Sequence, residues 1–472
     1  MRRAKIVCTI GPASSSPEVL DTLIDAGMDV ARLNFSHGTH EDHREVYASV
    51  RAAALRAGRP VAILQDLQGP KIRVGIFENG QVELVNGARF RLCVDECIGD
   101  ERQASIAYPD LPQDVSIGED LLLDDGLLQL RVVEVSERWV DTEVIVGGTL
   151  KNRKGVNLPD TRISLPSLTD KDKIDLDLGL ELGVDFVALS FVRSGLDIHQ
   201  LRARLAGQDD PPHIIAKIEK PQAVQNLMEI VSASDGIMVA RGDLGVELPP
   251  EKVPSIQKQM IDMANSLGKF AITATQMLES MTTNPRPTRA EASDVANAIF
   301  DGTDAVMLSA ETASGKYPVE SVQIMNRIIL EAEKSTHRDV LKARITDTPH
   351  IRTSAVAVAR AAVAAAEELN VRVISCFTVS GSTPRLVKAL GPKQRIVAFT
   401  PSVPMWHRMA LYRGVTPVLV EVSYESDDLF QMVETELSKT GGVASGEYTI
   451  IIMGVPAGTG ARANLVKVHQ MQ

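Results

Sequence analysis

The sequence predicts an α/β protein built as a (β/α)8 barrel with an inserted β-barrel-like lid domain and a C-terminal α/β regulatory domain. Three observations predict it. Eight short β-branched runs recur along the chain, separated by stretches of helical period. Between the third and fourth runs lies a segment of ~100 residues with a different rhythm, too long to be a structureless loop in a compact protein. After Ser335 the repeat stops and a new alternation begins.

The barrel runs are Lys5–Thr9, Val30–Asn34, Val61–Asp66, Phe186–Ser190, Ile214–Ile218, Gly236–Ala240, Phe270–Ala274 and Ala305–Leu308. Helical patterns such as Pro17–Ala26, His40–Ala57, Lys171–Gly183 and Pro250–Leu267 stand between them. Eight such repeats point to a closed barrel of the TIM type, with a doubly wound open sheet as the alternative. The insert, Pro70 to Pro166, alternates Val, Leu and Ile and turns at Asn79-Gly80, Asn86-Gly87, Asp125-Gly126 and Gly147-Gly148. It leaves from the C-terminal end of the third strand, so it belongs over the barrel mouth, where a lid can work.

The third part opens with the polar segment Thr336–Pro349 and the Ala-rich helix Arg352–Leu369. The runs Val371–Val379, Arg395–Thr400, Val415–Val420, Glu447–Val455 and Leu465–His469 then predict a smaller unit around a parallel sheet. The expected domains are residues 1–69 with 167–340 (barrel), 70–166 (lid) and 341–472 (regulatory).

Composition narrows the function classes. Hydrophobic residues at 44% and charged residues at 24% are globular values. Aromatics at 4% and a net charge of −11 argue against nucleic-acid binding, though a local cationic cluster can still hold a small anion. The N-terminus is basic, then apolar, and is broken by Gly11-Pro12 too early for a signal peptide. No uncharged apolar run approaches the ~18 residues of a membrane span, so a soluble, cytoplasmic chain is expected. Cys8, Cys93, Cys97 and Cys376 are few and scattered, as in a reducing compartment. Cys93 and Cys97 lack a second pair or a neighbouring His and read as small residues of a β-rich segment.

In such a barrel the chemistry sits at the C-terminal ends of the strands. Those ends are polar almost throughout: Arg32-Leu-Asn34-Phe-Ser36-His37, Asp66 through Arg73, Ser190, Lys217 with Glu219, Arg241-Gly-Asp243, Thr275-Gln276, and Ser309-Ala-Glu-Thr312. A lone Ser or Asp after a strand is ordinarily a helix N-cap, which is the expectation for Ser309. Lys217 and Glu219 alternate with Ala216 and Ile218, so both point to one side of the sheet. Burying them in a dry lumen without partners would be costly, whereas the open end of the lumen suits them. Glu219 and Asp243, with no His or Cys near, suit Mg²⁺. Lys217 offers a mobile positive charge for a phosphoryl group in transfer, Arg32 and Arg73 offer forks for phosphate oxygens, and Arg241 adds a further cation.

The motifs Ala31-Arg-Leu-Asn-Phe-Ser-His-Gly38, Lys217-Ile-Glu219, Met238-Val-Ala-Arg-Gly-Asp-Leu-Gly245 and Ala274-Thr-Gln-Met-Leu-Glu-Ser-Met281 carry a resemblance, extended by Pro287-Thr-Arg-Ala-Glu-Ala-Ser-Asp-Val-Ala-Asn297 and Leu308-Ser-Ala-Glu-Thr312. Along nearly its whole length the chain resembles the pyruvate kinase family. The resemblance implies transfer of a phosphoryl group from phosphoenolpyruvate to ADP, giving pyruvate and ATP, usually in a homotetramer. It implies that Glu219 and Asp243 hold Mg²⁺ or Mn²⁺ and that Lys217 stabilises the moving phosphoryl group. Arg32, Ser190, Gly242, Asp243 and Thr275 would bind phosphoenolpyruvate, with Thr275 near the methylene carbon that gains a proton through water. Asn34, His37, Arg73 and Lys154 would meet the nucleotide.

Two departures from the family pattern carry information. Where many members have Asp-Thr-Lys-Gly-Pro-Glu and need K⁺, this chain has Asp66-Leu-Gln-Gly-Pro-Lys71. The Lys71 ammonium, near the pocket implied for Asn34, Ser36 and Asp66, would replace the monovalent cation, so K⁺ is not expected to be required. In the regulatory domain Thr378-Val-Ser380-Gly381-Ser382-Thr383 matches the effector phosphate loop, with Arg462 as an added charge. An ordinary strand–helix turn is the plainer reading of those hydroxyls. Val379 and Ser382 stand where fructose-bisphosphate-responsive members carry a Lys and an Arg, which favours a sugar monophosphate or AMP. Against this reading stand a Mg²⁺-dependent lyase or mutase of the phosphoenolpyruvate barrels, which would not need ADP, and a degenerate binding protein, which would have lost one of Lys217, Glu219, Asp243 or Thr275.

Overall fold

The computed structural model describes residues 2–159, 161–335, 353–421, 426–439, 442–456 and 461–472. The predicted segment Thr336–Pro349, Arg352 and the expected boundary at 340 lie outside these.

Eight parallel strands close into a barrel: Lys5–Thr9, Val30–Asn34, Ala62–Asp66, Phe186–Leu189, His213–Ile218, Gly236–Ala240, Phe270–Ala274 and Ala305–Leu308. Each pairs with its neighbour in sequence, and the first closes onto the eighth with Lys5 beside Ala305. Closure removes the open-sheet alternative. Helix starts follow local chemistry. Thr39 with Asp42, Thr169 with Asp172 and Thr288 with Glu291 form reciprocal capping boxes at the helices His40–Ala57, Asp170–Leu182 and Arg289–Asp301. Gly58, Gly183 and Gly302 end the same three helices in the left-handed conformation that suits glycine.

The insert holds a six-stranded sheet whose order runs Val156–Asn157, Asp120–Leu123, Leu128–Val135, Trp139–Val146, Arg89–Cys93, Gln103–Ser105. Beside it Gly148–Lys151 pairs with Gln81–Leu84. The sheets wrap one apolar core that includes Phe77, Phe90, Leu92, Tyr108, Leu121 and Leu130. Isolated bridges, Arg73 to Gly155, Val74 to Ile106 and Phe77 to Gly99, tie the exit from the barrel to that unit. The curl expected of a barrel is thus assembled from two sheets and these bridges.

In the C-terminal part, Val415–Leu419, Arg395–Thr400, Val373–Phe377 and Tyr448–Met453 are parallel, but Leu465–Gln470 joins the edge antiparallel to Tyr448–Met453. This corrects the expectation of a parallel sheet. The connection 454–464 is too short for a parallel crossover, which takes a dozen or more residues, so the chain returns as a hairpin. Helices Ser354–Glu368 and Ser382–Ala389 flank the sheet.

The C-terminal part seals the bottom of the barrel. Lumen residues Val7, Leu64, Phe186, Met238, Phe270 and Met307 share one apolar cluster with Ile374, Val387, Met409 and Tyr412. The Tyr412 ring lies 4.7 Å from that of Phe270. Lys388 pairs with Asp304 at 2.5 Å, and Lys5 Nζ donates to the Val415 carbonyl at 3.0 Å. With that end packed, only the other end, under the insert, is left for chemistry.

Candidate active site

Strand His213–Ile218 delivers Lys217, and Glu219 follows it on the same side, with Lys217 Nζ 2.8 Å from Glu219 Oε1. Lys217 Nζ also donates to Ser190 Oγ at 2.7 Å and lies 3.3 Å from Asp66 Oδ1. Asp66, at the end of the third strand, accepts from Arg32 Nε at 2.7 Å through its other oxygen. Arg32 donates in turn to Thr9 Oγ1 at 2.9 Å. The second, third and fifth strands therefore place two cations and two carboxylates in one connected group at the barrel mouth, to which the fourth adds the Ser190 hydroxyl. The resemblance put Asp66 in a monovalent-cation pocket; here its oxygens are engaged by Arg32 and Lys217.

Electrostatics explains how these charges persist. Burial opposes the Lys217 charge, but Asp66 and Glu219 outweigh it and hold the ammonium's pKa above its ordinary value. Asp66 is 1% exposed, yet Lys217 and Arg32 overcome its burial and keep its pKa below the usual carboxylate value. Glu219 goes the other way. Burial raises its pKa, Lys217 opposes this, and the Asp243 carboxylate raises it further. Glu219 Oε2 accepts the Phe191 N–H at 2.8 Å, which fixes its orientation. Two carboxylates that repel each other at the edge of a buried cationic group are a donor pair that a divalent cation would relieve.

Asp243 lies in the first turn of helix Arg241–Glu247, after the sixth strand. Gly242 has a steric reason to be glycine, since a Cβ there would come 2.6 Å from Thr275 Cγ2. Thr275 has φ +72° and Gln276 φ +55°, a strained left-handed pair immediately after the seventh strand. Arg241 holds that turn. Its Nη2 donates to the Thr275 carbonyl at 2.7 Å, its Nε to Ala274 at 3.2 Å, and its Nη1 pairs with Asp294. Arg241 was expected to hold an anionic substrate; instead it is engaged by backbone carbonyls and Asp294. Ser309 also differs from expectation. Its side chain makes no capping bond, and the Glu311 carboxylate takes the Ser309 N–H at 2.6 Å and the Leu278 N–H at 3.0 Å.

Asp243 opens into a cleft shared with the insert, lined by Lys71, Lys220, Phe191, Asp125 and Asn157 among others. Lys71 is exposed and has no ion pair among the described residues. Lys220, paired with Glu247 at 2.5 Å, and Asn157, which donates to the same Glu247 oxygen at 2.9 Å, were not foreseen. The charged positions directly after Glu219 and four after Asp243 were the available signal.

The four expected nucleotide residues fall in two groups. Asn34 Oδ1 takes the Ser36 N–H at 3.2 Å, and His37 is exposed beside it, on the barrel. Arg73 Nη1 donates to the Arg153 carbonyl at 2.9 Å, and Lys154 pairs with Asp124 at 2.7 Å, on the insert. No hydrogen bond joins the two groups among the described residues. In the regulatory part Thr378 Oγ1 accepts the Gly381 N–H at 2.9 Å, and Ser380 donates to Ser382 at 3.1 Å. Gly381, with φ +73°, opens the helix Ser382–Ala389, in which Thr383 is buried. Arg462 is exposed, with no hydrogen bond to this loop among the described residues.

Comparison with known proteins agrees with this geometry. Residues 1–322 match the family model described as the pyruvate kinase barrel domain, and residues 356–469 the pyruvate kinase alpha/beta domain. The chain is similar to a pyruvate kinase of Geobacillus stearothermophilus, 48% identical over 472 residues, covering 99% of this chain and 80% of that one. One from Sporosarcina psychrophila is 46% identical with the same coverage. Among solved structures, a pyruvate kinase from Cryptosporidium parvum superposes with a TM-score of 0.95 at 38% identity, covering 100% of this chain and 96% of that one.

Proposed function

The chain belongs to the pyruvate kinase family and is a phosphotransferase of that kind, and on that premise we propose how its own residues perform the reaction. The observation that carries the reading is Lys217, held between Asp66, Ser190 and Glu219 at the barrel mouth. Its raised pKa keeps it charged, and with Arg32 it takes the phosphate of phosphoenolpyruvate and follows the phosphoryl group toward ADP. Ser190, itself anchored to the Leu67 carbonyl at 2.7 Å, aims the ammonium. Gly242, Asp243 and Thr275 receive the carboxylate end, and the strained Thr275 turn presents its hydroxyl toward the methylene carbon that takes a proton.

Glu219 and Asp243 are the residues that would hold a divalent ion, Mg²⁺ or Mn²⁺. Their hard oxygen chemistry and mutual repulsion fit it. No grouping of three or more His, Cys, Asp or Glu able to hold a metal occurs among the described residues, and a Mg²⁺ held by two protein carboxylates would keep room for substrate oxygens. When bound, the ion supplies positive charge to the oxygens of the group in transfer.

Asn34, His37, Arg73 and Lys154 meet the nucleotide from the two sides of the cleft, and closure of the insert excludes water that would compete for the phosphoryl group. Lys71 takes the place of K⁺. The loop Thr378–Thr383, with Arg462, binds a phosphorylated effector, a sugar monophosphate or AMP. The domains divide as 1–69 with 167–340, 70–166 and 341–472. The enzyme works in the cytoplasm as a homotetramer; no helix among the described residues is long and apolar enough to cross a membrane.

The test is pyruvate formation from phosphoenolpyruvate with ADP, with ADP omitted, and after chelation of divalent ions. Turnover that needs ADP, stops on chelation and returns with Mg²⁺ or Mn²⁺ supports the reading. Turnover that survives chelation removes the metal role of Glu219 and Asp243.

A further inference from the structure

Cys93 and Cys97, read in the sequence as unremarkable small residues, are brought together by the fold. Cys93 ends the strand Arg89–Cys93, and its register partners are Trp139 on one side and Ser105 on the other. The chain then turns back, and Ser105 Oγ donates to the Cys97 carbonyl at 3.2 Å. Both cysteines are half-buried, free, and line one surface concavity with Arg91, Asp95, Arg138 and Trp139. The Cys93 thiol donates to Gln103 Oε1 at 3.8 Å, and Gln103 lines the same concavity. Cys8 and Cys376, by contrast, are fully buried and apart.

The same corner backs onto the lid hinge. The Ser105 carbonyl accepts the Gly75 N–H at 2.8 Å, and the Ala107 N–H goes to the Arg73 carbonyl at 2.9 Å. Gly99, just past Cys97, donates to Ile76 at 2.8 Å. A Cβ at Gly75 would fall 2.1 Å from Ser105 Oγ, so only glycine fits where this segment packs directly against Ser105. Cys97, Ser105, Gly75 and Arg73 thus form one mechanical chain.

We propose that Cys93 and Cys97 are a reversible dithiol–disulfide pair whose closure alters how the hinge presents Arg73 to the nucleotide. The kinetic half of this rests on the reading of Arg73 given above. The chemistry is thiol–disulfide exchange. One thiolate attacks a low-molecular-weight disulfide, forming a mixed disulfide and releasing one thiol. The second cysteine then attacks the mixed disulfide, closing the Cys93–Cys97 bond and releasing the other thiol. Two protons and two electrons leave the protein, and one small disulfide becomes two thiols. Burial and the neighbouring thiol hold the Cys93 pKa above its ordinary value, so closure accelerates with rising pH.

The full-length enzyme is equilibrated with oxidised glutathione, free thiols are alkylated, and the protein is cut with trypsin. Both cysteines lie in the tryptic peptide Leu92–Arg102. The expected product is that peptide unalkylated and lighter by two hydrogens, restored by reduction. The KM for ADP should rise by about fivefold, a typical coupling between linked sites, while the KM for phosphoenolpyruvate holds. Cys97→Ser should abolish both responses and leave the activity of the reduced enzyme unchanged. Alkylation of both thiols, separate glutathione adducts on each, or a disulfide that leaves the KM for ADP unchanged would overturn the proposal. Arg73→Gln in the reduced enzyme tests the underlying reading separately. An unchanged KM for ADP there removes Arg73 from the nucleotide site, while the mass of the peptide still decides the bond by itself.

Discussion

Asp66 stands between Arg32 and Lys217, with one carboxylate oxygen 2.7 Å from the guanidinium and the other 3.3 Å from the ammonium. One buried anion therefore positions both cations proposed to take the phosphoryl group. Asp66→Asn keeps the shape and removes the charge. It should cost about 3 kcal/mol of stability, because two buried cations lose their counter-charge, and it should lower kcat by at least about a hundredfold. Denaturant unfolding and steady-state kinetics together check this, and a stable variant with normal kcat would assign the positioning to Ser190 and Glu219 instead.

Gly242→Ala places a methyl within 2.6 Å of Thr275 Cγ2, against a turn that Arg241 and Asp294 hold rigidly. Overpacking of this kind costs about 1–3 kcal/mol. The expected signature is a loss in kcat/KM for phosphoenolpyruvate larger than any change in KM for ADP, with the circular dichroism spectrum unchanged.

His213 lies at the sealed end of the barrel, edge-on to Phe186 at 5.7 Å, and burial pushes its pKa down to about 4. Above pH 6.5 it is neutral in both folded and unfolded chains. As pH falls from 6.5 toward 4 the unfolded chain takes a proton that the folded one refuses, and stability is lost across that window, about 3 kcal/mol at its end. Asp235, held despite its burial below the usual carboxylate value by the Ile214 N–H and by Arg202 and Lys269, loses its contribution only at lower pH, beneath the ordinary carboxylate pKa. Urea unfolding at pH 7 and pH 5 should show the slope in the parent and a smaller one in His213→Leu.

Lys71 faces the cleft without an ion pair among the described residues, available to supply the charge that K⁺ supplies elsewhere in the family. Turnover should persist in buffer free of Na⁺ and K⁺, and Lys71→Glu should make it K⁺-dependent. Loss of turnover in K⁺-free buffer in the parent would discard the role given to Lys71.

Glucose 6-phosphate, ribose 5-phosphate or AMP should lower the apparent KM for phosphoenolpyruvate, and fructose 1,6-bisphosphate should not. Thr378→Val, which removes the hydroxyl that takes the Gly381 N–H, should abolish the response. Activation by fructose 1,6-bisphosphate alone would reverse the effector assignment.

The barrel was legible because its strands are continuous apolar runs and its helices carry capping boxes, so Lys5–Thr9, Gly236–Ala240 and Phe270–Ala274 stand where periodicity put them. Lys217 and Glu219 were legible because two charges two residues apart on a buried strand must share a side and need an open end. Other features were not, because they depend on contacts distant in sequence. Nothing local says that Arg241 reaches back to the Thr275 carbonyl, or that Asp66 binds Arg32 and Lys217 at once. Nor does Cys93-Val-Asp-Glu-Cys97 disclose that Ser105 folds the second cysteine back toward the first. The antiparallel final strand was missed because alternation fixes a strand's faces and leaves its direction open.

The most direct test of the account is the kcat of Lys217→Met at saturating phosphoenolpyruvate, ADP and Mg²⁺, measured beside its KM for phosphoenolpyruvate. The kcat should fall about a thousandfold with a much smaller change in KM, since the ammonium acts on charge that develops during transfer. A kcat close to that of the parent would contradict it and leave Arg32 and the divalent ion to carry the phosphoryl group alone.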